Sequence, residues 1–189
     1  MKQAPRRETL MTMDFYFMCG AVVVAGIGCA TDIASRRIPN RPTYSAILFA
    51  IIGRFAFQGW HGLESALVGG LIGGGAFLLF FLLHAMGAGD VKLMTAVGCF
   101  AGSTRAFEIV LAVAIAGGVF AIIHSLLHRR LRVVLGYVIE LAGFHAMAGA
   151  EAHPSLNLSN PQAARMPYGV AIAAGVLYSA LAFYCRGGV

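Results

Sequence analysis

The sequence predicts an all-α, polytopic membrane helix bundle of about six transmembrane helices, with a short, broken fourth helix. Three observations carry this expectation. Of 189 residues, 59% are apolar and only 12% are charged, whereas a soluble domain carries roughly 25% charged residues. The mean hydropathy is +0.77. Several apolar runs approach the ~20 residues that a helix needs to cross a hydrocarbon core about 30 Å thick. So little charge cannot clothe a water-facing surface of this size. The length fits one compact membrane-embedded domain, 1–189, with no room for a second soluble one.

The first span reads as residues 15–31. It has the length of a weak signal core, but Asp32 and the Arg36-Arg37 pair follow it, and no small-x-small cleavage site stands out. The second span, 44–60, is interrupted by Arg54, whose long stem suits snorkelling to the interface. The third, 63–86, is the most apolar and carries Gly69-Gly70 and Gly73-Gly74-Gly75 at helical spacing. Small residues at that spacing let membrane helices approach closely. The fourth, 91–101, is short. The fifth is 107–127 and the sixth 168–184. Between these two lies 128–166, expected as a cytoplasmic loop with an amphipathic helix at 133–150; a seventh span is the alternative.

The net charge is +6. Nine of the fourteen basic residues fall in three clusters flanking apolar runs: Lys2, Arg6 and Arg7; Arg36, Arg37 and Arg41; Arg129, Arg130 and Arg132. Such blocks set topology, and no basic face suited to nucleic acid is evident. With six spans, eight basic residues fall on one side: Arg36, Arg37, Arg41, Lys92, Arg129, Arg130, Arg132 and Arg165. Five fall on the other: Lys2, Arg6, Arg7, Arg105 and Arg186. The richer side is expected to be cytoplasmic. The N-terminal cluster opposes this, unless translation starts at Met11 or Met13. The four cysteines, Cys19, Cys29, Cys99 and Cys185, form no C-x-x-C pair, so zinc and disulfide frameworks are not expected.

Acidic residues in or beside spans are costly and usually functional. Asp14, Glu64 and Glu108 sit at outer ends, where an interfacial role suffices. Asp32 closes the first span and Asp90 opens the fourth, so both fall on the same side at similar depth. The stretch 91–106 makes only about 24 Å of helix at 1.5 Å per residue. The Gly87-Ala88-Gly89 break before it therefore lies below the membrane surface, where irregular backbone must line a cavity or be covered by protein. Two adjacent carboxyls share a proton; the ionised one can deprotonate water while the other polarises a carbonyl. That chemistry needs no metal, cofactor or covalent intermediate. The plainer alternative is that the two acids cap helices or pair with Arg36 and Lys92.

Three strings bear on this choice. Asp32 followed by Arg37-Ile38-Pro39-Asn40 resembles the first aspartate motif of the type IV prepilin peptidases. Gly87-Ala88-Gly89-Asp90-Val91-Lys92 resembles their G-x-G-D-x-K motif. Met166-Pro167-Tyr168-Gly169-Val170-Ala171 resembles the P-Y-G-x-A element that opens their last span. The resemblance implies that Asp32 and Asp90 are the catalytic pair, with Arg37, Pro39, Asn40, Gly87, Gly89, Lys92, Pro167, Tyr168 and Gly169 as supporting residues. It implies cleavage of prepilin or pseudopilin leaders at the cytoplasmic face of the inner membrane, typically after a glycine. Membrane lipid is then the surroundings and the pilus assembly machinery a candidate partner. Long members carry an added cytoplasmic domain with paired C-x-x-C motifs and N-methylate the product. This chain has no such motifs and is similar to the short Tad/Flp-type peptidases; archaeal preflagellin peptidases are a related alternative.

Two rival functions remain at the level of sequence. A cation- or proton-coupled transporter would also use Asp32 and Asp90 near a broken helix, but it predicts further polar residues deep along a path, and mid-span polar groups are scarce apart from Arg54. A non-catalytic assembly scaffold is the other. His84, one turn before Gly87, reads as a structural histidine. His124 and His128 have i, i+4 spacing, but two ligands alone do not make a metal site.

Overall fold

The structure, a computed structural model, describes residues 4–83, 86–127, 131–148 and 167–186. Lys2, His84, His128, Arg129, Arg130, Arg165, Met166 and the proline-flanked stretch 154–161 lie outside the described residues. Among the described residues there are six helices: α1 (Ala4–Ser35), α2 (Asn40–Leu82), α3 (Ala88–Ala101), α4 (Ser103–Leu127), α5 (Leu131–Ala148) and α6 (Gly169–Cys185). Away from its ends a helix satisfies its backbone groups internally, as hydrocarbon demands. Residues 12–35 of α1, all of α2, and α4 are long and apolar enough to cross a membrane, and α6 is a shorter apolar helix.

At 43 residues, α2 would run about 65 Å if straight, twice the hydrocarbon thickness. It is instead folded back on itself at Gly59, whose φ of 64° and ψ of −147° lie outside the helical region and suit a residue without Cβ. The contacts with α3 fix the reversal. Asn40 meets Lys92 near the start of α3, and Arg54 meets Phe100 near its end. On the returning arm Ser65 meets Ser103, and Gly73 approaches Met94. These two arms are the second and third expected spans, and they clasp α3 between them.

Short α3 occupies the middle of the bundle. Its Leu93, Met94 and Val97 are buried in one core with Met18, Ala21 and Ala25 of α1, Phe77 of α2, Ile109 and Val113 of α4, and Ile172 and Val176 of α6. The glycine stripe makes this approach possible. A Cβ on Gly73 would stand 2.5 Å from the Met94 carbonyl oxygen, and one on Gly69 would overlap the backbone of Gly98. Backbone cannot yield as a side chain can, so only small residues fit.

Both ends of α1 and α3 match in antiparallel order, with Gly20 beside Phe100 and Gly28 beside Leu93. Helices α4 and α6 also run antiparallel: Glu108 pairs with Arg186, and Gly175 lies against Val113. The C-termini of α1 and α4 and the N-termini of α2, α3 and α6 therefore share one end of the bundle. Among the described elements α5 packs against α4 alone.

One expectation is overturned. Arg54 does not snorkel; it is 3% exposed. Its Nη2 and Nε donate to the Phe100 carbonyl oxygen at 2.8 and 3.2 Å, and its Nη1 donates to Gln58 Oε1 at 2.8 Å and to Asp14 Oδ1 at 3.3 Å. Its guanidinium also lies 4.6 Å from the Phe17 ring centroid. The reason is the brevity of α3. The last four carbonyls of a helix lack intrahelical partners, and α3 ends inside the bundle, so a buried donor must meet them. Asp14 thereby gains a specific partner at the outer end.

Candidate active site

Asp32 lies near the end of α1. Four residues on, Arg36 takes a positive φ of 52° and donates its N–H to the Asp32 carbonyl oxygen at 2.8 Å. This left-handed residue ends α1 and turns the chain back across Asp32. Ser35 Oγ reinforces the turn with donation to Thr31 O at 2.8 Å or Arg37 O at 3.2 Å. The Arg37-Ile38-Pro39 segment then crosses to α2 in extended form, Pro39 having φ −69° and ψ 142°.

Asp90 lies in the first turn of α3. Gly87 is extended (φ −80°, ψ 148°) and helix begins at Ala88. The Asp90 Oδ2 atom accepts the Gly87 N–H at 3.3 Å. This is half of a capping box, since Gly87 has no side chain to reciprocate. The capping role considered from sequence is thus real, but it engages one oxygen only.

The two acids line one cleft of ≈ 270 Å³, together with Arg36, Arg37, Ile38, Gly87 and Gly89. They are close enough to interact electrostatically. Asp32 is 8% exposed, and its Oδ2 accepts the Gly169 N–H at 2.9 Å, a buried bond spanning 137 residues of sequence. The N-terminus of α6 thus meets the Asp32 carboxylate, as free helix N–H groups and the helix dipole favour.

Glycine is required here by close approach, not by backbone twist: among described glycines only Gly59 and Gly102 have positive φ. A Cβ on Gly89 would stand 3.1 Å from Ile38 Cβ, and one on Gly169 would stand 3.0 Å from Asp32 Cβ and 3.1 Å from Cys29 Cα. Both glycines let a helix start press onto the α1–α2 turn.

The supporting residues sort by position. Arg37, Gly87 and Gly89 line the cleft. Lys92 Nζ donates to Asn40 Oδ1 at 2.9 Å and lies 5.4 Å from the Tyr44 ring centroid; it ties α3 to the start of α2. Pro39 borders a neighbouring apolar notch. Tyr168 packs edge-on against Phe77 at 6.0 Å and fills the space over Gly117. Pro167 stands just before α6 and accepts the Val170 N–H. Two cleft residues, Arg36 and Ile38, were not singled out as supporting, although both lie inside the first aspartate string.

On the cleft wall Asp32 is buried, whereas Arg36 and Arg37 are exposed. A partly polar cleft with two carboxylates is suited to activating water.

No curated protein and no solved structure matches this chain. Residues 17–122 match the type IV leader peptidase family. That match takes in most of α1 and α4 and all of α2 and α3, including both cleft carboxylates, while Gly169 lies beyond it. This multi-pass chain, by that match over more than half its length, belongs to the type IV leader peptidase family.

Proposed function

We propose that this chain is an aspartyl endopeptidase of the inner membrane that removes the leaders of Flp-type prepilins or pseudopilins at the cytoplasmic face. The observation that carries the reading is the shared cleft of Asp32 and Asp90. Two like charges in one partly buried site ionise in turn, so one carboxyl holds a proton while the other is free to accept one. The carboxylate removes a proton from water, and the water oxygen bonds to the scissile carbonyl carbon. The protonated partner donates to the carbonyl oxygen. On collapse of the tetrahedral species the C–N bond breaks, and the proton taken from water passes to the leaving amine.

Orientation is supported by Arg36, Arg37, Arg41 and Lys92, which gather at the cleft end, in keeping with the cytoplasmic bias of basic residues. On the same reading 128–166 is a cytoplasmic loop whose helix α5 lies in the interface; its exposed Tyr137, Val138 and Ile139 suit that placement. Cys19, Cys29, Cys99 and Cys185 provide no C-x-x-C pair, which supports cleavage without N-methylation. The test is co-expression with a prepilin. Asp32→Asn and Asp90→Asn should each abolish leader removal at normal membrane level, and the product of the native chain should carry an unmethylated N-terminus by mass spectrometry. Mature-sized pilin with either variant would end the dyad reading, and an added methyl mass would end the second claim.

A further inference from the structure

Beside the carboxylate cleft lies a second, smaller cavity of ≈ 20 Å³, bordered by Val24, Ile27 and Gly28 of α1, Ile38 and Leu93, with Pro39, Pro42, Thr31 and Thr43 around it. Resting on the peptidase reading above, we infer that this notch receives the side chain of the residue immediately following the scissile bond, and that it selects a small aliphatic one.

Continuity comes first: Ile38 lines both the notch and the cleft. Depth comes next. Val24, Ile27 and Gly28 precede Asp32 by one to two helical turns, and Leu93 follows Asp90 by about one turn. The notch is therefore deeper in the bundle than the carboxylates. A substrate held with its leader at the cleft end and its apolar helix in the membrane places the new N-terminal residue on that deeper side.

Chemistry agrees. Both hydroxyls at the border are turned to backbone carbonyls: Thr31 Oγ1 reaches Ile27 O and Gly28 O at 3.0 Å, and Thr43 Oγ1 reaches Pro39 O at 2.9 Å. The wall left to a substrate is hydrocarbon. Space sets the size limit, since a volume of this order holds about one water or methyl group. Leu93 is 1% exposed and is hemmed in by Gly28, where even a Cβ would meet it at 2.5 Å. The floor cannot retreat, so a large ring does not fit.

The experiment uses the full-length protein, reconstituted in liposomes, with prepilins bearing Ala, Val or Trp directly after the cleavage point. The native protein should cleave the Trp substrate at least about tenfold more slowly than the Ala substrate, the scale on which apolar pockets discriminate by size. Ile27→Ala, which opens the rim, should narrow that ratio several-fold, and Ile27→Trp should widen it and slow the Val substrate too. Ile27 is 47% exposed, so both variants should accumulate normally; Val24→Ala is a second opening variant. Ratios unmoved by all three would overturn the assignment and leave a notch filled by lipid. Failure of the native protein to cleave any prepilin would instead remove the peptidase reading, and the notch assignment with it.

Discussion

Gly169→Ala is the substitution that best isolates how α6 serves the candidate dyad. The added Cβ would stand 3.0 Å from Asp32 Cβ, 3.1 Å from Asp32 Oδ2 and 3.1 Å from Cys29 Cα. The last of these is backbone within α1 and cannot rotate aside. Relief to an ordinary contact requires the start of α6 to withdraw by a few tenths of an ångström, which stretches the 2.9 Å bond from Gly169 N to Asp32 Oδ2 beyond good geometry. Hydrogen bonds to charged groups are worth about 1.5–3 kcal/mol. If that bond holds the carboxylate in its working position, its loss should slow cleavage roughly ten- to hundredfold, at about 1.4 kcal/mol per tenfold. Stability should change little, because Ala exceeds Gly in helix propensity by up to about 1 kcal/mol, which offsets part of the crowding. The assay is the rate of prepilin cleavage per molecule of membrane-extracted protein, with membrane level measured beside it. A normal rate per molecule would show that the α6 N-terminus does not set the position of Asp32. A lost rate accompanied by lost protein would show that the contact serves folding instead.

Three further outcomes are expected. Gly89→Val should lower cleavage per molecule at near-normal membrane level, because it crowds Ile38 in the cleft, whereas Gly73→Val should lower the amount of folded protein, because its Cβ meets the Met94 carbonyl; equal behaviour on the same two measurements would contradict the division between cleft and packing glycines. Arg54→Met should destabilise the bundle by about 1–3 kcal/mol, the scale of an orphaned buried acceptor, read as a lower thermal inactivation temperature in detergent; an unchanged temperature would show that the Phe100 carbonyl finds another donor. In a cysteine-free background, His61→Cys, near the Gly59 turn, should react with an impermeant maleimide on intact cells, while Leu127→Cys at the end of α4 should react only after lysis; the reverse pattern would invert the bundle.

The sequence by itself determined the membrane class, the all-helical bundle and the placing of two acids at helix ends. These follow from quantities that are local in the chain: apolar run length set against hydrocarbon thickness, and the cost of a carboxylate beside a span. The three strings added the order of the site along the chain. Tertiary structure decided how those pieces meet. No pattern around Arg54 announces that it serves the end of α3, because its partners Asp14 and Phe100 are 40 and 46 residues away and the need arises from where α3 stops. Nor could spacing foretell that Gly169 donates to Asp32 across 137 residues, or that Lys92 turns to Asn40. The glycines before Asp90 show the limit most clearly. A glycine in sequence signals freedom of backbone or absence of a side chain, and only the packed neighbour distinguishes the two. Here Ile38 at 3.1 Å from a would-be Cβ makes it the second, because a long-range approach of two chain segments, not a local torsion, is what the site requires.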